Sequence, residues 1–318
     1  MEFLVDVNIV TYNHEKFIRQ TIESVLQQKT TFNVRIVIGD DGSTDKTQEI
    51  IKEYERQYPE KFKCILYTKN VGINSPDRVG LKVLESSTSK YINLLDGDDY
   101  WTDENKLQMQ VDFLELNPDF SMCFHNAEVI YENSNRKSHQ LCNNNMPAIS
   151  TLKDVLRGFN IPTASALFRN NNLYGRLPKW FGEVLGGDIV IWSLNAMEGN
   201  VYYINRVMSR YRIHSGGLTQ NIEKNNWERI KLYKHMLEYF PKQYSAILKT
   251  NIALNYVGVA QVGFGNGQYI KLLYLFVALY ISPISIVYGM KNLIKSKLRK
   301  VFKGSQNGLQ IGEITHGK

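Results

Sequence analysis

Tyr91-Ile92-Asn93-Leu94-Leu95-Asp96-Gly97-Asp98-Asp99-Tyr100-Trp101 begins as an apolar strand and ends in three carboxylates on a glycine-containing turn. Clustered negative charges repel unless a cation or hydrogen-bond donors compensate them. A single aspartate would cap the helix expected from about Thr102, so a cap alone does not account for Asp96, Asp98 and Asp99 together. Oxygen ligands on a tight turn suit a hard divalent ion, Mg²⁺ or Mn²⁺, which binds through one or two carboxylates plus substrate phosphates. The stretch therefore predicts a strand end that faces a metal and a phosphorylated ligand.

Working outward, the same strand-turn-helix order recurs upstream. Residues 3–10 alternate and are β-branched, then break at Tyr12-Asn13-His14 before helical spacing over 16–28. Residues 34–38 form a second apolar strand running into Asp40-Asp41-Gly42-Ser43-Thr44-Asp45, followed by a helical pattern over 47–57. Residues 62–67 read as a third strand and 78–85 as a helix. This alternation predicts an α/β fold with a mainly parallel, Rossmann-like sheet flanked by helices, whose ligands bind beyond the carboxyl ends of the strands. Three polar clusters fall there: Thr11 to His14, Asp40-Asp41, and Asp96 to Asp99. The Tyr12 ring is placed to stack on a base, and a carboxylate facing the first turn can accept from a base N–H or a ribose hydroxyl. Taken alone, the 40–45 stretch is equally a capped turn. Thr11-Tyr12-Asn13-His14 contains no glycine, which argues against a dinucleotide fingerprint and against the glycine-rich triphosphate cradle of a nucleotidyltransferase.

The ordered set Val10-Thr11-Tyr12-Asn13-His14-Glu15, Asp40-Asp41-Gly42-Ser43-Thr44-Asp45 and Leu95-Asp96-Gly97-Asp98-Asp99-Tyr100-Trp101 resembles family 2 glycosyltransferases, well over residues 4–130 and more thinly to 220. The resemblance implies an A-type glycosyltransferase fold, a nucleotide diphosphate sugar donor with UDP as the default, a divalent cation (Mn²⁺ or Mg²⁺), and inversion at the anomeric carbon. On it, Thr11, Tyr12, Asn13 and Asp41 would hold the nucleotide. Asp98 would take the ribose or the metal, and Asp99 or Asp98 the metal, with Asp96 beside them. Arg78, after the third strand, is a candidate for the base or phosphates.

Inversion needs one carboxylate to take the acceptor proton while the sugar is attacked opposite the leaving diphosphate. Gly186-Gly187-Asp188-Ile189-Val190-Ile191-Trp192 resembles the family's Gly-Asp-x-x-x-Trp helix start, making Asp188 the candidate base and Glu183 the alternate. Asp188 also reads as a simple N-cap for residues 189–196. Tyr211-Arg212-Ile213-His214-Ser215-Gly216-Gly217-Leu218-Thr219 resembles the family's closing Tyr-Arg-x-His-x-Gly-Gly segment. His214 would contact metal or diphosphate, and Arg212 would stabilise the leaving charge.

The net charge of +7 is local: between 291 and 318, seven Lys and Arg stand against Glu313, leaving the remainder near neutral. A basic tail behind the uncharged run 272–290 suits an anionic membrane surface rather than nucleic acid. Pro283 interrupts that run, so a re-entrant or interfacial helix pair hinged there is expected instead of a span, with residues 295–303 along the headgroups. Cys64, Cys123 and Cys142 lack metal-ligand spacing, and the N-terminus lacks a signal-peptide layout. The organisation expected is a nucleotide-sugar-binding half (1–105), an acceptor-side half (106–220), a helical extension (221–268), a membrane-associated segment (269–304) and a tail (305–318). A cytosolic catalytic domain on the cell membrane would most simply act on a lipid-linked glycan of bacterial surface polysaccharide assembly.

Overall fold

The computed structural model describes residues 2–73, 75–143, 145–158, 160–217, 221–265 and 273–284. Residues 1–220 and 221–318 form two compact units. The first opens with β1 (Val5–Thr11), α1 (Ile18–Leu26), β2 (Val34–Asp40), α2 (Thr47–Gln57), β3 (Phe62–Leu66), α3 (Val79–Glu85) and β4 (Tyr91–Asp96). It continues with β5 (Tyr100–Trp101), α4 (Lys106–Leu116), β6 (Phe120–Tyr131), β7 (His139–Gln140), β8 (Ile149–Ser150), α5 (Leu152–Leu156), β9 (Leu167–Arg169), α6 (Leu173–Arg176), α7 (Gly187–Ala196) and β10 (Asn200–Ile213).

Val5, Val7 and Ile9 are sealed from solvent in one core cluster with Ile18 and Ile22 of α1. Burying each such side chain contributes about 1.5–3 kcal/mol of transfer free energy. The intervening Asp6 and Asn8 are buried too, and both are partnered. Arg35 donates to Asp6 at 2.8 Å, and the Ser87 hydroxyl donates to Asn8 at 2.8 Å.

The sheet is mixed, which corrects the expectation of a mainly parallel one. Its order is β3-β2-β1-β4-β9-β6-β10-β5, with β7 beside β6 and β8 beside β10. The β3-β2-β1-β4 portion is parallel. β9 then runs antiparallel to both β4 and β6, β10 is parallel to β6, and β5 is antiparallel to β10. For β5 the reason is chain length. Only Gly97-Asp98-Asp99 separates β4 from β5, far short of the dozen or so residues that a parallel crossover needs. The chain therefore turns sharply, and β5 pairs with the distant β10. That turn puts the acidic motif beside the end of β10.

The second unit contains α8 (Ile222–Tyr239), α9 (Ser245–Gly265) and α10 (Leu273–Ile281). Trp227, Tyr256 and Tyr274 tie the three helices through ring contacts of 5.2–5.8 Å. Among the described residues, no helix is long and apolar enough to cross a membrane. α10 ends at Ile281 and the helix is broken at Ser282, immediately before Pro283. Leu273, Phe276, Leu279, Tyr280 and Ile284 are exposed. The rest of the expected membrane-associated segment, 269–272 and 285–304, lies outside the described residues, as do Leu218 and Thr219 of the closing segment.

Candidate active site

The turns after β1 and β2 are zipped together by side chains reaching across to backbone. Asn13, in the left-handed region at φ 54°, donates its N–H to the Ser43 hydroxyl at 2.8 Å and accepts from the Thr44 N–H at 2.8 Å. The N–H of His14 donates to the Thr47 hydroxyl at 2.9 Å, and that of Glu15 to Asp45 at 3.0 Å. Lys46 returns its N–H to Glu15 at 3.1 Å. Tyr12 stands exposed at the head of this assembly, with its ring open to solvent.

Asp40 and Asp41 hold their own loops. Asp40 is buried and accepts from the Ser43 N–H at 2.8 Å, from the Ser43 hydroxyl, and from Gln48 at 2.6 Å. Asp41 accepts from Asn70 Nδ2 at 2.9 Å and from the backbone N–H groups of Val71 and Gly72 at 3.0 and 3.1 Å. Gly42 makes this docking possible. Its φ is +72°, and an added Cβ would lie 2.2 Å from the Lys69 carbonyl carbon. The base-binding role expected of Asp41 therefore has to be shared with its tie to the 70–72 loop.

At the acidic turn the three aspartates diverge. Asp98 Oδ2 lies 2.9 Å from His214 Nε2 and 3.8 Å from His14 Nε2. Donor atoms of His14, Asp98 and His214 all fall within 4.8 Å of one another. Ligands of one ion, with bonds of about 2.1 Å, stand about 3 Å apart when adjacent and about 4.2 Å when opposite, so the separations of 2.9 and 3.8 Å from Asp98 suit a divalent metal. His14 Nδ1 is 3.1 Å from Thr11 Oγ1. Gly97 passes so close to both that a Cβ would meet Thr11 Oγ1 at 2.6 Å and His14 Nδ1 at 3.0 Å. Burial lowers the His14 pKa, against the opposing pull of the Asp98 carboxylate.

Asp99 points the other way. It is 1% exposed, and Oδ1 accepts the Arg212 N–H at 2.8 Å. Burial, then the charges of Asp98 and Asp96, push its pKa well above the usual carboxylate range. The described geometry groups Asp98 with His214, while Asp99 is tied to the β10 backbone and is not among the clustered donors. Asp96 has its pKa pushed up to about 7 by burial, with Asp98 and then Asp188 adding to the effect. Asp188 thus faces the acidic turn electrostatically. It lies in the first turn of α7, whose N-cap position is Gly186 at φ 79°, so Asp188 is not the cap. Glu183 is exposed, at the end of a short 3-10 turn.

Two arginines take structural positions. Arg78 is buried and donates to the carbonyls of Val184 at 2.9 Å, Phe181 at 3.0 Å and Ile73 at 3.2 Å. Its guanidinium lies 4.5 Å from the Phe181 ring centre. Burial lowers its pKa to about 10, with Asp188 opposing. It anchors the segment that carries Asp188. Arg212 donates to the Asp98 carbonyl at 2.8 Å, to Gln20 at 2.8 Å and to Glu132, between the rings of Phe17 and Tyr100. Its charge fixes the acidic turn from behind.

The structure therefore brings Asp98 and His214 into contact beside Asp96, with Asp188 near enough to raise the Asp96 pKa, and sets Thr11, Tyr12 and Asn13 on the neighbouring turn. Sequence reasoning missed His14 as a possible ligand. Its position three residues after Thr11, at the mouth of β1, was the available signal. Burial pushes the thiols of Cys123 and Cys142 up to about 12 and 11.

The sequence model of Glycosyl transferase family 2 matches residues 6–172, more than half of the chain, and the chain belongs to that family. An uncharacterized protein of Mycobacterium tuberculosis is 34% identical over 215 residues, covering 66% of this chain and 58% of that protein. The chain thus matches less than two thirds of the relative's length. Among solved structures, Staphylococcus aureus TarS 1-349 in complex with UDP-GlcNAc aligns with a TM-score of 0.61 at 17% identity, covering 88% of this chain and 80% of that one. The mannosyltransferase PcManGT of Pyrobaculum calidifontis, in complex with GDP-Man and Mn²⁺, aligns at 0.58 with 14% identity, covering 91% and 88%. Both likenesses concern the fold.

Proposed function

We propose that this enzyme transfers a sugar, with inversion, from a UDP-sugar to an acceptor hydroxyl, and that a divalent ion held by Asp98 and His214 takes part. The observation that carries the reading is the cluster of Asp98, His214 and His14 donor atoms at the acidic strand end, with the Asp188 charge near enough to raise the Asp96 pKa. A bound ion would offset charge on the leaving diphosphate. Asp188 would accept the acceptor's proton, and the segment anchored by Arg78 would hold that carboxylate in place. Tyr12 would lie under the base, and Asn13 would keep the turn in shape. UDP-GlcNAc in TarS and Mn²⁺ in PcManGT support the donor class and the ion.

The acceptor in this reading is a lipid-linked glycan at the cytoplasmic face of the membrane. Support comes from the exposed Phe276 and Tyr280 of α10 and from the basic sequence that follows. Calorimetric titration with UDP, dTDP and GDP, with and without Mn²⁺, tests the donor half. Binding of UDP that requires Mn²⁺ and survives Asp188→Asn, while transfer falls about 10²–10⁴-fold, is the expected result. Absence of binding for all three nucleotides would sink the reading.

A further inference from the structure

We infer that His14 is a third protein ligand of the metal, and that the resulting set of two imidazole nitrogens and one carboxylate oxygen selects Mn²⁺ over Mg²⁺. This rests on the metal-dependent reading above and narrows it. The acidic turn alone would predict a hard ion held by oxygen. The geometry adds nitrogen from two directions: His214 after the last strand and His14 after the first, at 2.9 and 3.8 Å from the same oxygen of Asp98.

Three features fit His14 to a ligand's task. Its backbone N–H is fixed by Thr47 at 2.9 Å, so the residue does not swing with its loop. Its Nδ1 is engaged by Thr11 at 3.1 Å, which directs Nε2 to Asp98; ligating histidines are ordinarily oriented through the other ring nitrogen in this way. The side chains of His14, His214 and Asp98 are only 16%, 11% and 17% exposed, which admits an ion while excluding most bulk water. Packing of the two imidazoles with the Phe17 ring, at centroid distances of 4.8–6.2 Å, keeps them on one side of the turn. Imidazole nitrogen favours first-row transition ions, whereas Mg²⁺ prefers oxygen and retains its waters.

The test is a titration of the full chain with Mn²⁺ alone, read by the loss of the free-ion electron paramagnetic resonance signal, alongside calorimetry with Mg²⁺. The wild type is expected to bind Mn²⁺ at least about tenfold more tightly than Mg²⁺. His14→Phe keeps a ring against Phe17 and removes the nitrogen. It should weaken Mn²⁺ binding by about 10- to 100-fold and leave Mg²⁺ within about twofold. His14→Gln, which offers an oxygen instead, should shift the ratio toward Mg²⁺ without abolishing binding. An unchanged Mn²⁺ to Mg²⁺ ratio in either folded variant overturns the assignment, as does a wild type with no preference. Because these titrations contain no nucleotide, a failure to bind UDP would count against the donor reading alone.

Discussion

Arg212 Nε donates to the main-chain carbonyl of Asp98 at 2.8 Å, across 114 positions of sequence. The same residue's N–H donates to Asp99, so β10 holds the acidic turn by two adjacent aspartates. A lysine at this position would keep the charge but lose the fork that reaches Asp98, Gln20 and Glu132 together. Arg212→Lys should lower stability by about 1.5–3 kcal/mol in urea denaturation. It should also weaken Mn²⁺-dependent UDP binding about tenfold or more, because the ligand-bearing turn loses its brace. Unaltered metal affinity in a destabilised variant would assign Arg212 to the fold alone.

Gly97→Ala tests the close approach of the acidic turn to the end of β1. The new methyl would lie 2.6 Å from Thr11 Cβ and 3.0 Å from His14 Nδ1. Overpacking of this kind costs about 1–3 kcal/mol, and here it also displaces His14. Thermal melting and Mn²⁺ titration should both register the change.

Asp96 makes metal-free stability depend on pH. Its folded pKa of about 7 lies above the ordinary 3.8, so the folded chain holds a proton that the unfolded chain releases. Its contribution is present in full below the unfolded value and is lost as pH rises through about 7. The melting temperature in EDTA should therefore fall between pH 5 and 8, and Asp96→Asn should flatten that slope. A slope unchanged in Asp96→Asn would place the dependence on other groups.

Lys106 has an opposite sign. It is fully buried, its Nζ has no hydrogen-bond partner among the described residues, and it sits 3.9 Å from the centre of the Trp101 ring. Burial lowers its pKa well below the usual lysine value. Between the folded and unfolded pKa values the unfolded chain binds the extra proton, so stability rises with pH across that window. Lys106→Met should stabilise the protein by about 1–3 kcal/mol at neutral pH and remove that rise, measured by urea denaturation at pH 7 and 9.5.

The parallel strands were legible because their information is local. Apolar runs ending in polar turns name β1, β2 and β4 and the site clusters at their ends. The mixed half was not, since β6 and β10 carry buried polar residues such as His125, Asn126 and Ser209 that blur any alternation. At the acidic turn the sequence supplies three carboxylates without their directions. Neighbouring side chains on a turn diverge, and only the fold sends Asp98 to His214 and Asp99 to the β10 backbone. The partners of Arg78 and Arg212 were not legible either, because a long basic side chain reveals nothing about which carbonyls it will find.

The interlocked turns after β1 and β2 bear on kinetics as well as on shape. Ordering Asn13, His14, Ser43 and Thr47 is a cost met once, during folding. An arriving nucleotide would find that surface already rigid. Capture should then be governed by diffusion and charge, with little lag from loop ordering, and variation among sugar donors would fall to segments outside this clasp.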